Sequence, residues 1–436
     1  MTAATAPRPG PMIEASYRRE ILPWTLLGLT LGLVEGATAA VLIKHRFAGT
    51  APGPAVNLAV ALVSGAPALS NVVSFIWANI AHGRSRVRLL AGLQAVFALL
   101  VGFVGLAPHQ SGGLVFAVGS ILGARMLWAG ILTIRAAVWT ANYPRHLAAR
   151  MTGRIVVFSS LAIAGAAALA AFALESHRID PRWLYAGAAL AGLVAAVRFR
   201  AMRVRREYQL LAAEAAAGAS EDAFSLRALG DILRHDPAFR AYMFWMGLYG
   251  GGQLMLTSQM VVVLTDQLQI APGLQIVLLS IIPLVTLPFF VAAWARLFDG
   301  QHVVLYRSRQ GWVLVAAVLM NVAGALAASV PLLLVGAVLV GIANAGASIG
   351  WNLGHNDFAS LGRAQQYMGV HVTLTGVRGM IAPPLGMAVY EALEAAQPGA
   401  GRWSLVLPLL LTAAGAAGFT SMRWRFAREE EQAEHR

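Results

Sequence analysis

Among the ionisable side chains inside the long apolar runs of this chain are Glu35, Arg125, Arg378 and His371. A charged group at the centre of a membrane helix costs about 2.5–3.5 kcal/mol on insertion scales, so such residues usually mark function. Glu35 lies 14 residues into the first run, and Arg125 lies 14 residues before the end of the fourth, which runs the opposite way. At the helical rise both sit at a depth of about 21 Å, where they would form an ion pair if the two helices face each other. Burial favours the neutral carboxylic acid and a neighbouring guanidinium favours the carboxylate. A cavity that opens and closes around the pair would therefore couple proton uptake to conformation. Glu35 and Arg125 are the proton-coupling candidates; a static pair pinning two helices and direct substrate contact are the other readings.

Polar residues also recur at helical spacing. Tyr249, Gln253 and Thr257 fall four apart in one run, and Asn344, Ser348, Asn352 and His355 follow at four, four and three in another. Each set forms one face of a helix. His371 and Arg378, seven apart, share a face as well, and imidazole is the side chain that changes charge near neutral pH. Tyr249, Gln253, Thr257, Asn344, Ser348, Asn352, His371 and Arg378 are the substrate-binding candidates. Hydrogen-bond glue between helices is the plainer reading of the stripes, and an interfacial position bonded to a neighbour is the plainer one for His371. Arg135, close to the end of its run, reads as a snorkelling side chain.

Catalytic chemistry finds no footing. The chain has no cysteine, which excludes disulfides, thiolate metal sites and iron–sulfur clusters. His355 and Asp357 lack further metal ligands nearby, and the glycines of residues 341–350 suit helix packing rather than a phosphate loop. The expectation is no metal, no cofactor and no enzyme.

The elements that must position these residues follow from composition. Of 436 residues 58% are apolar and 12% charged, and the mean hydropathy is +0.65. A soluble domain carries about 25% charged residues. The apolar residues fall into twelve runs, each close to a bilayer in length: residues 21–43, 56–80, 89–106, 114–139, 155–174, 183–197, 241–264, 274–297, 311–330, 331–353, 368–393 and 403–422. Of the 33 basic residues, all arginine except Lys44, 25 fall on the side of the termini, 5 on the other side and 3 within runs. This asymmetry places both termini in the cytoplasm of a multi-pass inner (plasma) membrane protein. The net charge of +13 is then topology, and no nucleic acid is expected. Residues 1–20 form an N-terminal tail, 21–200 one six-helix bundle, 201–240 a cytoplasmic central loop, 241–422 a second bundle and 423–436 a C-terminal tail. In the central loop Phe224, Leu226, Leu229, Ile232 and Leu233 give an amphipathic stripe, an interfacial helix that tethers the bundles.

The halves repeat. WANIAHG at 77–83 matches WARLFDG at 294–300, and VGSIL at 118–122 matches VGAVL at 335–339, both 217 residues apart. Gly32 and Glu35 align with Gly250 and Gln253 at 218. Three matches at one offset, each in the corresponding run, indicate a parallel repeat about an axis along the membrane normal.

Twelve runs, a 6+6 repeat, a basic central loop and Gly/Arg-bearing loops after the second and eighth runs resemble the major facilitator superfamily along essentially the whole chain. Family members carry G-x-x-x-D-R-x-G-R-R in the loop after the second span. Gly83 and Arg84 match its late Gly-Arg pair, with Asn79 or His82 where the Asp belongs; the second copy keeps Asp299 and Gly300 without that pair. Asn79, His82, Gly83, Arg84, Asp299 and Gly300 are the gating-loop candidates by this resemblance. Arg125 with Gly130 resembles the span-4 Arg-x-x-x-Gly motif of proton-linked members, lengthened by one residue, and the fifth run lacks the Gly-Pro pair of drug/proton antiporters. The resemblance implies an all-α membrane protein, spans 1, 4, 7 and 10 lining a central path, rocking of the two bundles, and a monomer. Three interior arginines against one glutamate point to an anionic solute. The reading is a proton-coupled secondary transporter of a small organic solute. A proton-driven exporter of lipophilic cations or lipids and a non-transporting sensor are the alternatives.

Overall fold

The computed structural model describes residues 11–176, 178–217, 226–360 and 363–434. Its described residues are helical, with no strand among them. The first apolar run is split: α1 (Pro11–Gly32) and α2 (Gly36–Phe47) meet at a 42° bend. Next come α3 (Gly53–Leu69) and α4 (Ser74–Ala81), joined by a 3-10 turn, then α5 (Arg86–Leu106), α6 (Ser111–Asn142), α7 (Arg145–Ser176) and α8 (Pro181–Phe199). The central segment forms α9 (Glu207–Ala217) and α10 (Leu226–His235). The second half contains α11 (Pro237–Val262), α12 (Pro272–Ile276), α13 (Ile282–Phe298), α14 (Val303–Leu326), α15 (Val330–Leu353), α16 (Ala364–Ala396) and α17 (Val406–Glu434). Counting α1–α2, α3–α4 and α12–α13 as one crossing each gives twelve crossings, six before the central segment and six after it.

Among the described residues nine helices are long and apolar enough to cross a membrane, and the bent α1–α2 pair makes ten. The other two, α8 and α11, fall short of that measure. They are held laterally, α8 along α1 and α5, α11 along α16 and α17. Large apolar side chains such as Phe172, Leu190, Phe289 and Leu410 are exposed on the perimeter, as a lipid-facing surface requires.

The sequence repeat becomes a packing repeat. The Trp77 indole N–H donates to the Met126 carbonyl at 2.9 Å, and the Trp294 indole to the Ile342 carbonyl at 2.9 Å. In each half a glycine on the facing helix gives the ring room. A Cβ at Gly130 would fall 2.6 Å from Trp77, and one at Gly346 2.9 Å from Trp294. The two helices also end alike. His82 and Asp299 leave the helix at φ −61 with ψ 131 and 129, and Gly83 and Gly300 follow at φ +67 and +77, the left-handed region open to glycine at little cost.

The central segment divides its attention between the halves. Leu229 and Ile232 bury the apolar face of α10 against α11 and α16, so this helix docks on protein rather than lying free on the bilayer; Phe224 of the expected stripe lies outside the described residues. By contrast α9 reaches the first half. The Gly83 N–H donates to Glu214 at 3.0 Å, the Ser85 hydroxyl to Glu207 at 2.7 Å, and Arg86 pairs with Glu214. A carboxylate therefore does meet the α4–α5 loop, supplied from the central segment instead of the loop itself.

The halves touch at the end of the molecule opposite the termini. Lys44, buried at the end of α2, donates to Asn57 at 2.6 Å and across the interface to Asp266 at 2.7 Å. Asn57 in turn donates to Glu391 of α16 at 2.6 Å. Thr38 donates to Ser280 at 2.9 Å, and the Gly273 N–H to Glu175 at 3.0 Å. Along the α3–α16 seam Gly65 and Gly379 let the backbones meet: a Cβ on either would fall under 3 Å from the opposite helix. The seam thins beyond Val72 and Gly376, and α4 touches α16 only sparsely. The halves thus close at the far end and part towards the termini.

Candidate functional site

Glu35 sits in the break between α1 and α2. Its backbone is extended (φ −91, ψ 120) as the N-cap of α2, and Gly36 follows at φ +35. The break comes just after Gly32, where α1 presses on α7; a Cβ there would lie 2.7 Å from both the Ile163 carbonyl oxygen and the Ala166 methyl. Non-helical backbone at this depth is tolerated where it lines a cavity or is buried in protein. Arg125 on α6 donates to the Glu35 carboxylate at 2.6 Å. The pair is asymmetric: the Arg125 side chain is 7% exposed and that of Glu35 33%. The cation is buried and the carboxylate is the more accessible partner, with the Arg125 Nε left without a partner among the described residues. Protonating Glu35 would remove the one charge that, among the described residues, pairs with this guanidinium.

In the second half Arg378 on α16 lies over Gly250 of α11, where a Cβ would fall 2.4 Å from its Nη1. It donates to the Met246 carbonyl at 2.7 Å and to the Thr375 hydroxyl at 3.1 Å. Beneath it Arg307 is 1% exposed and donates to Gln310 at 2.9 Å. Gln310 in turn donates to the Tyr249 hydroxyl at 2.9 Å. Among the described residues no carboxylate pairs with Arg307 or Arg378. Uncompensated buried charge is costly, and hydrogen bonds to neutral groups offset only part of that cost.

The remaining candidates separate by environment. Gln253 and Asn344 face each other across α11 and α15 at 2.8 Å and are partly exposed. Thr257, Ser348 and Asn352 bond back to their own helices while remaining at least partly exposed. Tyr249 turns inward to Gln310, and His371, 1% exposed, stacks edge-on to Trp351 at 4.3 Å. The gating-loop residues His82, Gly83, Arg84, Asp299 and Gly300 are exposed, as is Asn79. Of these, the two glycines serve to end their helices.

Two groups, Glu20 and Arg307, escaped the pattern of apolar runs, and a third, Arg135, sits otherwise than that pattern implies. Glu20, just before the first run, is fully buried within α1, accepts from the Trp139 indole at 2.7 Å, and makes Glu35 one of two interior acids in this half. Arg135 does not snorkel: its guanidinium lies over Trp139 at 4.3 Å and Trp24 at 5.0 Å. Arg307, assigned by hydropathy to a loop, is a full turn inside α14. The i, i+3 spacing of Arg307 and Gln310 is the signal that would have found it.

No known family profile matches the sequence, and no curated protein is similar to it in sequence. Solved structures are similar in shape. The nucleoside transporter NupG aligns with a TM-score of 0.70 at 12% identity, over 93% of this chain and 98% of that one. A D-xylose–proton symporter aligns at 0.65 and 13% identity, over 94% and 97%. The human organic anion transporter MFSD10 (TETRAN) aligns at 0.57 and 16% identity, over 94% and 100%. The chain has the major facilitator fold. Within that fold the broken α1–α2 and the helices α6, α11 and α15 are the first, fourth, seventh and tenth crossings. They carry Glu35, Arg125, Gln253 and Asn344 respectively.

Proposed function

We propose that this protein is a secondary active transporter of a small organic anion, driven by protons through Glu35. The observation that carries the reading is the charge balance of the interior. In the first half Arg125 is matched by Glu35 and Arg135 lies near Glu20; in the second, Arg307 and Arg378 have no matching carboxylate among the described residues. An anionic substrate supplies the missing charge at Arg378, and Gln253 and Asn344 supply orienting hydrogen bonds. Proton uptake by Glu35 frees Arg125 and favours rocking of the halves around this site. The positive-inside rule places both termini in the cytoplasm, so the closed far end is extracytoplasmic and the conformation is inward-facing. Two of the structural neighbours are described as a proton symporter and an organic anion transporter, in keeping with both halves of the reading. The working unit is a monomer.

The test is a thermal-shift panel of organic anions, lipophilic cations and lipids on the detergent-purified protein, followed by flux in proteoliposomes. A ligand at 100 times its Kd stabilises the fold by about 2.7 kcal/mol. Anions are expected to give the shift, and Arg378→Gln to abolish it. Glu35→Gln should keep substrate exchange and lose accumulation driven by a pH gradient. A shift from cations or lipids alone, lost in Glu35→Gln, would replace this reading with the exporter.

A further inference from the structure

A second cationic recess, which shares none of the candidate site residues, lies at the end of the molecule that carries the termini. It encloses about 510 Å³ and is lined by Arg86 of α5, Ala137, Thr140 and Ala141 of α6, Arg205 and Arg206 of the turn after α8, and Leu210 of α9. Three of its seven lining residues are arginines, and none is acidic.

The recess is built rather than incidental. Asn142 at the end of α6 donates to the Arg203 carbonyl at 3.2 Å and accepts from the Arg205 N–H at 2.9 Å. This double bond to the backbone fixes the turn that presents Arg205 and Arg206. Arg206 holds φ +56, a left-handed conformation that an arginine rarely adopts and that the surrounding contacts must impose. Arg86 uses Nη2 for Glu214, while its Nη1 is buried without a partner among the described residues. A guanidinium donor is thus left unused beside two exposed guanidinium groups.

The apolar part of the lining matters equally. Ala137, Ala141 and Leu210 are the apolar lining, at the point where α6 reaches the end of its apolar span. A site for a free anion gains nothing from such a lining. A phosphate joined to a glycerol and acyl stem uses both parts: the phosphate oxygens meet the guanidinium forks, and the stem lies on the alanines and the leucine.

We propose that this recess binds the phosphate of an anionic phospholipid from the adjoining leaflet. The lipid sits where α5, α6, α9 and the turn after α8 converge. It thereby ties the central segment to the first half, on the same face as the contacts of Glu207 and Glu214.

The test uses the full chain in detergent, titrated with phosphatidylglycerol, phosphatidylcholine or inorganic phosphate, and read by native mass spectrometry and thermal shift. The variant is Arg205→Gln/Arg206→Gln, whose side chains are exposed and whose backbone bonds to Asn142 persist. A basic residue at an anionic surface contributes about a fivefold effect on binding, so the double variant should bind phosphatidylglycerol roughly twenty-five-fold more weakly. It should lose one retained lipid adduct while its melting temperature without lipid stays unchanged. Equal retention of phosphatidylcholine and phosphatidylglycerol overturns the proposal, as does full retention of phosphatidylglycerol by the variant. Stabilisation by inorganic phosphate with no added effect of phosphatidylglycerol overturns the lipid source and leaves a soluble phosphate ester as the ligand. Substrate flux through Arg378 is a separate readout, so failure here leaves the transport reading untouched.

Discussion

Replacing Lys44 by methionine should loosen the closed end of the molecule by a calculable amount. Lys44 is the only lysine of the chain; it donates to Asn57 of its own half at 2.6 Å and joins the other half through Asp266 at 2.7 Å. A hydrogen bond to a charged group contributes about 1.5–3 kcal/mol. The Asp266 side chain is 36% exposed, so solvent screening holds the interfacial bond to the low end, about 1.5 kcal/mol. Methionine preserves most of the buried stem. Since about 1.4 kcal/mol is a factor of ten, the population open at this end should rise roughly tenfold in Lys44→Met. The absence of cysteine makes the assay direct: Ser280→Cys introduces a single thiol at a position 8% exposed in the closed interface. A membrane-impermeant maleimide added from the far side should label it about ten times faster when Lys44→Met is also present. Adding Asp266→Asn to that pair should change the rate less than twofold, because both substitutions remove one shared contact. Equal labelling with and without Lys44→Met would show that Lys44 does not hold the far end. A further tenfold from Asp266→Asn would show that the two residues act separately.

Gly379→Val should block closure of the α3–α16 seam: its Cβ would fall 2.6 Å from the Ala68 Cβ and the Leu69 backbone nitrogen, so flux should be lost while the Ser280→Cys thiol becomes fully reactive. Gly250→Ala pushes against the Arg378 guanidinium, 2.4 Å away, the mobile tip of a long side chain. Its expected signature in a flux assay is a several-fold higher KM with a melting temperature within a few degrees of the parent. Burial opposes ionisation of Glu214, but the Gly83 N–H and Arg86 outweigh it and hold its carboxyl below the ordinary 4.5. Its contribution to the α9 clasp is therefore complete above about pH 4.5 and is lost as pH falls through the lowered value. Hydrogen exchange of residues 207–217, corrected for intrinsic rates, should be flat from about pH 8 to 5, and Glu214→Gln should lose that protection at neutral pH; strong variation between pH 5 and 8 would contradict this assignment.

Hydropathy and the 217-residue offset were enough to find the crossings, because a membrane helix announces itself by length and composition. The same repeat aligned Trp77 with Trp294, though the indole contacts they share were not part of that pattern. Depth along opposed helices sufficed to put Glu35 level with Arg125. Other features depend on neighbours that no local window contains. The break at Glu35 is hidden because Leu33 and Val34 continue the apolar run; the left-handed Gly36 marks it only once its angles are known. Glu20 follows Arg18 and Arg19, and Arg307 stands in YRSRQ, so both read as loop. Each is buried because helices from elsewhere in the chain cover it. The Lys44–Asp266 and Asn57–Glu391 contacts join residues 222 and 334 positions apart, beyond the reach of any periodicity.

The arginines of the second half also bear on how the chain enters the membrane. Of the nine apolar helices, α16 and α14 have the lowest hydropathy, 1.2 and 1.3, and they carry Arg378 and Arg307. An arginine at helix centre disfavours insertion by about 2.5–3.5 kcal/mol, so α16, with Arg378 near its middle, is a poor substrate for partitioning alone; Arg307, one turn inside α14, costs less. In the folded half Arg378 is met by the Met246 carbonyl of α11, and Arg307 by Gln310 of its own helix and the Ala347 carbonyl of α15. The partner of Arg378 is already in place when α16 is made, because α11 precedes it in the chain, whereas Arg307 gains its interhelical partner only once α15 follows α14.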